Sequence, residues 1–301
     1  MGAQHLFPSG PGRAGGVLRI LNLPTIAFVI AFSVLPLAYV AYLSLQDLRF
    51  GAGAGAFAGL DNYRFVLGDP SVITAFWNTL YFSVLSVAIA AFVGLGIALL
   101  LDSDVKGAGW LVIATVLPWA IPEIVNALMW QWIYNPSYGA LNGLLTEFGF
   151  IKDYQAWLST PLSAMHAVVF AYSWKLVPFV IIILYAGLRS IPAELYESAE
   201  IDGAGAMAQF RFVTLPLLAP SLVVAVLFCV VWSMRAFDIV YLLTKGGPGE
   251  ATTVLSYLVF SKAFDFGDLG AATAVACLLA LLTFALTCLY IRVLPKGSED
   301  Q

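Results

Sequence analysis

The residues best able to do chemistry in this sequence are four charged residues inside long apolar stretches, namely Glu123, Lys175, Arg235 and Asp238. An ionised side chain at the middle of a bilayer costs about 2.5–3.5 kcal/mol on insertion scales, so such groups persist where they face a protein interior or a polar passage. We expect Lys175 to have a carboxylate partner, and Glu123 is the nearest candidate. A structural ion pair and a substrate contact are both open to these two residues.

Arg235 and Asp238 are three residues apart near the end of an apolar stretch at residues 213–237, the fifth of six in the sequence. Residues at this spacing share one face of a helix, so the sequence predicts that they pair with each other. A second interpretation makes Glu123, Lys175 and Asp238 a proton relay of an ion-gradient-driven secondary transporter. No inverted repeat is evident in the sequence, which weakens that alternative.

Two prolines precede Glu123 and predict a bend in the third apolar stretch, which covers residues 110–133. Pro118 and Pro122 remove helix hydrogen bonds and free carbonyl groups that must face protein or water. Asn126 and Trp130 follow Glu123 at a spacing that places them on its side of the helix. The sequence therefore predicts a polar passage lined by Glu123, Asn126 and Trp130.

The composition indicates that lipid surrounds most of the chain. Of 301 residues, 61% are apolar and 11% are charged, against about 45–50% and about 25% in soluble domains. The net charge of −4 leaves no basic surface for nucleic acid. Three cysteines in apolar stretches indicate small core residues, and neither a metal site nor a catalytic constellation is expected.

Six apolar stretches have bilayer length, which is about 20 residues. They predict an all-α polytopic membrane protein with spans at residues 23–45, 76–101, 110–133, 162–188, 213–237 and 269–293. The expected organisation is a tail at residues 1–22, a six-span domain at residues 23–293 and a second tail at residues 294–301.

Lysine and arginine residues in the connecting segments predict the orientation of the chain. The segments that would be cytoplasmic with an inside N-terminus contain seven of them: Arg13, Arg19, Lys106, Arg189, Arg211, Arg292 and Lys296. The longer outer segments contain five. The sequence thus predicts that both termini are cytoplasmic.

The segment at residues 189–212, between the fourth and fifth spans, predicts a helix-turn-helix on the cytoplasmic face. Pro192 can begin a helix, since its missing N–H is not needed in the first turn. Asp202 and Gly203 mark a turn, and residues 204–212 predict a second short helix leading to Leu215 and Pro216. The hairpin could lie on the membrane surface or dock a cytosolic partner.

The spacing within this hairpin resembles the coupling motif of ABC importer permeases. That motif has Glu-Ala-Ala, two residues, Asp-Gly-Ala, then Phe and Leu-Pro, and its only departure here is Ser198 in place of alanine. The matching residues are Glu197, Ser198, Ala199, Asp202, Gly203, Ala204, Phe210, Leu215 and Pro216. The resemblance implies a type I ABC importer permease fold and a hairpin that seats in a groove of an ATPase.

The resemblance extends over most of the chain and indicates the maltose and glycerol-phosphate class of carbohydrate importers. It is carried by Gly59-Leu60-Asp61-Asn62-Tyr63, by Leu117-Pro118-Trp119 and by Gly246-Gly247-Pro248. It implies substrate-contacting positions at Glu123, Tyr172, Leu176, Phe179, Cys229, Ser233 and Ala236. Several of these differ from an amide-rich maltose site, so the class is implied more firmly than maltose itself.

The resemblance also implies a set of partners and a location. These are a second permease subunit, two ATPase subunits that bind ATP and Mg²⁺, an extracytoplasmic solute-binding protein and the bacterial inner membrane. No phosphate-binding Gly-rich loop occurs in the sequence, so this chain itself is expected to bind no cofactor. We expect the substrate to be a disaccharide or oligosaccharide such as trehalose or a maltose-like sugar, and an assembly subunit without a substrate path remains a third interpretation.

Overall fold

The computed structural model describes residues 22–51, 55–103 and 108–293. Of the predicted tails at residues 1–22 and 294–301, all but Asn22 lies outside the described residues, as do Arg13, Arg19, Lys106 and Lys296. Twelve helices and one hairpin make up the described part. They are α1 (Asn22–Leu43), β1 (Gln46–Asp47), β2 (Ala56–Phe57), α2 (Asp61–Gly68), α3 (Pro70–Asp102), α4 (Ala108–Ala120), α5 (Glu123–Ile133), α6 (Ala140–Glu147), α7 (Pro161–Arg189), α8 (Ala193–Ile201), α9 (Ala206–Met234), α10 (Asp238–Leu243), α11 (Leu255–Phe260) and α12 (Leu269–Val293).

Five helices in the described ranges are long and apolar enough to cross a membrane: α1, α3, α7, α9 and α12. They confirm five of the six predicted spans. The third predicted span is not one helix, because it divides into α4 and α5 at Ile121 and Pro122. Pro122 lacks an N–H and has ψ of 146°, so the chain leaves the helix there and begins a new one at Glu123.

Two of the spans, α3 and α7, begin with a polar capping residue followed by proline. Asp69 directly precedes Pro70, and its carboxylate accepts a hydrogen bond from the Ser71 N–H. Thr160 directly precedes Pro161, and its hydroxyl accepts a hydrogen bond from the Ser163 N–H. Each cap satisfies an N–H group that the first turn leaves without a partner. This local chemistry sets where α3 and α7 begin, with α3 starting six residues before its predicted apolar stretch.

Leucine–proline steps distort two of the spans in the same way. A π-helical turn at Ile30–Val34 precedes Leu35-Pro36 in α1, and another at Phe210–Thr214 precedes Leu215-Pro216 in α9. In both, the leucine N–H bonds the carbonyl five residues back. A proline ring displaces the carbonyl four residues back, which gives a physical reason for the widened turn.

The core lies where α3 packs along α7. Ala90, Gly94 and Ala98 recur every four residues on the buried face of α3. A Cβ built on Gly94 would lie 2.6 Å from a methyl carbon of Val180, so only glycine allows this approach of the two helices. Small residues at this spacing are the usual contact surface of membrane helices. The main cluster also includes buried residues of α5, α9 and α10.

A second apolar cluster joins α2, the start of α3, α11 and α12. The short antiparallel hairpin pairs Gln46 with Phe57 and Asp47 with Ala56 beside it. Helix α1 contacts this part of the protein through α12. None of the residues in the apolar stretch of α1 is buried against the rest of the described chain.

Candidate functional site

The hairpin after α7 forms the predicted helix and turn, but its second half differs from the prediction. Helix α8 covers residues 193–201, and the turn follows at Asp202 and Gly203. No separate helix covers residues 204–212, because α9 begins at Ala206 and continues through the π-helical turn into the fifth span. The hairpin is therefore joined without a break to a membrane helix.

Backbone and side-chain hydrogen bonds fix the shape of this hairpin. Gly203 has φ of +82°, and the Ala204 N–H donates to the Ala199 carbonyl at 2.9 Å. Such a glycine in a left-handed conformation closes a helix end. The hydroxyls of Tyr196 and Thr214 are 3.0 Å apart, which ties α8 to the base of α9.

The exposed surface of the hairpin carries both apolar and acidic side chains, the latter being Glu194, Glu197, Glu200 and Asp202. Ile201 is 87% exposed and Met207 is 76% exposed. The residues of the motif lie along this same segment: Glu197, Ser198 and Ala199 on α8, Asp202, Gly203 and Ala204 in the turn, and Phe210, Leu215 and Pro216 on α9. Large exposed apolar side chains that lie together mark a contact surface for another protein or for the membrane.

A cavity of about 230 Å³ lies beside the break in the third span. Its walls combine aromatic side chains with two acidic and two basic residues. The lining residues are Trp119, Glu123, Tyr172, Lys175, Leu176, Trp232, Arg235, Ala236, Phe237, Asp238 and Ile239. Aromatic faces suit the apolar C–H surfaces of a sugar ring, and the charged groups suit its hydroxyls.

The expected partner of Lys175 is confirmed. Its Nζ lies 2.7 Å from Oε1 of Glu123, across the gap between α7 and α5. The lysine side chain is 11% exposed, whereas the Glu123 side chain is 45% exposed. Glu123 also occupies the first turn of α5, where the helix dipole favours a negative charge.

The predicted pairing of Arg235 with Asp238 is wrong. Helix α9 ends at Met234, Arg235 follows it outside the helix, and Asp238 begins α10. The two residues therefore share no helix, and no ion pair joins them. Both nevertheless line the cavity.

The structure brings together seven of the predicted pathway residues at the cavity: Glu123, Tyr172, Lys175, Leu176, Arg235, Ala236 and Asp238. The other five do not line it. Asn126 is fully buried with its amide 3.4 Å from the Ala171 carbonyl, and Trp130 packs edge-on against Phe170. The proline break turns this face of α5 toward α7, so the predicted passage face of the helix is a packing face.

The remaining three residues lie outside the cavity lining, and one of them, Phe179, packs against a wall residue. Phe179 lies with its ring centroid 4.7 Å from that of Trp232, Cys229 is fully buried, and the Ser233 hydroxyl bonds the Val230 carbonyl. Sequence reasoning missed four wall residues: Trp119, Trp232, Phe237 and Ile239. Trp119 directly follows the predicted bend at Pro118, which is the one signal that could have found it.

The amino-acid sequence of the chain matches a known protein family. The profile of the binding-protein-dependent transport system inner membrane component family matches residues 93–296. A trehalose/maltose transport system permease protein of Thermococcus litoralis is 40% identical over 275 residues, which are 91% of this chain and 92% of that protein. An sn-glycerol-3-phosphate transport system permease protein of Escherichia coli is 32% identical and covers 94% of this chain and 95% of its own length.

Solved structures show the same fold. A bacterial ABC transporter involved in the import of the acidic polysaccharide alginate superposes with a TM-score of 0.79 over 93% of this chain and 95% of that chain, at 22% identity. The same transporter bound to an alginate-loaded periplasmic protein gives a TM-score of 0.78. These comparisons give no support to an ion-gradient-driven transporter. The chain belongs to the binding-protein-dependent transport system inner membrane components, the permease subunits of ABC importers.

Proposed function

We propose that this chain is the permease subunit of an ATP-driven carbohydrate importer and forms half of its translocation passage. The cavity at the broken third span carries the proposal, because it joins aromatic walls to charged groups inside the membrane domain. The relatives in Thermococcus litoralis and Escherichia coli serve trehalose/maltose and sn-glycerol-3-phosphate transport, by their names. Trehalose, maltose and related disaccharides are the substrates we favour.

The charges of the cavity support a neutral sugar over a sugar phosphate. Two carboxylates and two cations line it, and one of the cations is already paired with a carboxylate. A dianionic phosphate needs an excess of donors and positive charge. Hydroxyl groups need both donors and acceptors, and a balanced set of charged groups supplies both.

The partners follow from the proposed function. A second permease subunit completes the passage, two ATPase subunits bind ATP and Mg²⁺, and an extracytoplasmic binding protein delivers the sugar. The exposed apolar turn between α8 and α9 supports docking of the ATPase. In this arrangement both termini are cytoplasmic, residues 1–22 and 294–301 are cytoplasmic tails, and residues 189–212 act as the coupling loop.

Closure of the ATPase pair would move this loop, and the continuous helix α9 would carry the movement into the cavity. Sugar must bind the outward-facing and inward-facing states differently for the cycle to be productive. The single helix from Ala206 to Met234 supports such a lever, because a helix transmits displacement along its axis.

Uptake into proteoliposomes tests the proposal. The complete complex is reconstituted with its binding protein outside and ATP with Mg²⁺ inside, and labelled trehalose, maltose and sn-glycerol-3-phosphate are compared. We expect ATP-dependent uptake of a neutral disaccharide and no uptake driven by a proton gradient alone. Uptake that follows the proton gradient without ATP would refute the proposal, and uptake of the phosphate ester alone would refute the substrate class.

A further inference from the structure

The end of α5 and the loop that joins it to α7 expose six large apolar or aromatic side chains. Leu144 lies on α6, the short helix within this loop, and Phe148 and Phe150 follow the end of α6. Such side chains mark a contact with another protein or with a membrane. We call the six together the loop surface, and their exposed fractions are 46–76%: Trp132, Tyr138, Leu144, Phe148, Phe150 and Tyr154.

Helix α7 gives the depth at which this loop ends. Its 29 residues are about 43 Å long, which matches the thickness of a bilayer with its headgroups, about 40–45 Å. Lys175 is the central residue of α7 and therefore lies near the middle of the bilayer. Pro161, where the loop ends, is about 21 Å from that level, at the limit of the headgroup layer. Arg189 ends α7 at the opposite face, where the hairpin between α8 and α9 follows.

Helix α5 gives the depth at which the loop begins. Glu123 begins α5 and lies 2.7 Å from the Lys175 ammonium group, so α5 starts near the middle of the bilayer. Ile133, the last residue of α5, is at most about 15 Å further, and half of the hydrocarbon thickness is also about 15 Å. The Tyr134 hydroxyl donates to the Ala167 carbonyl at 3.0 Å, and Ala167 precedes Lys175 by about 12 Å of helix. The loop therefore begins at the edge of the hydrocarbon.

Asn142 keeps the loop folded against the end of α5. Its side chain is fully buried, and its amide donates to the carbonyls of Asn135 at 3.4 Å and Gln155 at 3.0 Å. Its side-chain oxygen accepts hydrogen bonds from the Gln155 N–H at 3.1 Å and the Trp157 indole at 2.9 Å. These bonds join both halves of the loop, so the loop stays at the depth of its two ends.

We infer that the loop surface lies in the headgroup layer of the membrane and anchors the end of the broken third span to lipid. A surface at this depth meets lipid before it meets a soluble protein. Helix α5 has 11 residues, fewer than the about 20 of a complete span, so its own length does not fix its position across the bilayer. The anchor holds its end at the boundary between lipid and water.

The residue types of the loop surface suit this boundary. Tryptophan and tyrosine are enriched there because each combines an apolar ring with a polar atom, and three of the six are of these types: Trp132, Tyr138 and Tyr154. The other three are wholly apolar and face the hydrocarbon edge: Leu144, Phe148 and Phe150. The headgroup layer is itself polar, so it also accommodates the exposed charges of the loop at Glu147, Lys152 and Asp153.

Spin labels test the contact in the complete importer complex, reconstituted in phosphatidylcholine liposomes. Alanine replaces the three native cysteines, and a single nitroxide is attached in Phe148→Cys, Phe150→Cys or Phe266→Cys. Phe266 is the matched control, because it is 74% exposed, against 72% for Phe148 and 76% for Phe150. The measurement compares the access of oxygen, which dissolves in lipid, with the access of a water-soluble nickel chelate.

The control position lies outside the bilayer. Phe266 lines a cavity with Asp69, which directly precedes α3. Helix α3 has 33 residues and is about 50 Å long, and Asp102 at its end lies 3.9 Å from Arg189 at the end of α7. Asp69 therefore stands about 29 Å from the middle of the bilayer, beyond its headgroups.

We expect a higher ratio of oxygen access to chelate access at Phe148→Cys and Phe150→Cys than at Phe266→Cys. Equal ratios at the three positions would overturn the inference, because the loop surface would then face water. Poor access of both reagents at the first two positions would also overturn it, since a protein would cover them. Protection that appears only when the binding protein is added would assign the surface to that protein and equally overturn the inference.

Discussion

Substitution of Gly203 tests the proposed role of the hairpin between α8 and α9 in coupling, because the backbone strain that a side chain adds at this position can be estimated. Its φ is +82°, and a Cβ built there meets no other atom within 4 Å. Alanine therefore adds backbone strain without a clash, at a cost of about 1–2 kcal/mol. Tryptophan adds the same strain and a large ring on the exposed turn. We expect Gly203→Ala to reduce coupled uptake within about threefold and Gly203→Trp to abolish it, because the ring obstructs the groove of the ATPase.

The assay is the ratio of sugar uptake to ATP hydrolysis in proteoliposomes. Gly149 provides a matched control, because it also has a positive φ, +73°, and no atom within 4 Å of a built Cβ. Gly149 lies before α7 in the chain and Gly203 lies after it. Because α7 has 29 residues and is about 43 Å long, it separates the two glycines. Gly149→Trp should retain coupling. Coupled uptake by Gly203→Trp, or an equal loss in Gly149→Trp, would refute the reasoning.

Two further predictions concern stability. Gly94→Ala places a Cβ within 2.6 Å of a methyl carbon of Val180, and it should lower the stability of the purified complex in thermal unfolding by about 1–3 kcal/mol. Gly96→Ala is the control, because a Cβ there has no atom within 4 Å, and it should not destabilise the complex. Equal effects of the two substitutions would contradict the packing argument. Burial raises the pKa of Asp69, but the salt bridge from Lys262 at 2.7 Å and the hydrogen bonds from the adjoining turn outweigh it and hold the pKa below its ordinary value. The lowered pKa contributes stability that is present above about pH 4 and lost as the pH falls through the folded value, so Asp69→Asn should lower the melting temperature at pH 7 and weaken the acid dependence; an unchanged profile would contradict the role of this pair.

Five of the spans, and the helix and turn at residues 193–203, could be predicted because their signals are local. Hydropathy over about 20 residues marks a span, and a proline or glycine at a given position restricts the backbone directly. The pair of Glu123 and Lys175 was also predictable, since each is a rare charge in an apolar stretch and requires a partner. Pro122 correctly indicated the bend beside this pair, although the break divides the third span into two helices.

The cavity walls could not be predicted with the same success. Trp232 and Phe237 differ in no sequence pattern from the many aromatic residues that pack against lipid or core. Asn126 carries a polar group that suggested a passage, yet the break before α5 turns it into the contact with α7. Orientation after a break depends on what the helix packs against, and no local rule contains that information.

Sequence alone therefore determined five of the six spans, the turn at Gly203 and the need for a partner beside Lys175. Only the tertiary structure decided that Arg235 and Asp238 share no helix yet line one cavity, and that Glu123 is the more exposed member of its pair. The physical reason is range. Helix formation and turns depend on neighbours along the chain, whereas burial and cavity shape depend on contacts between helices far apart in sequence, such as α5, α7 and α9.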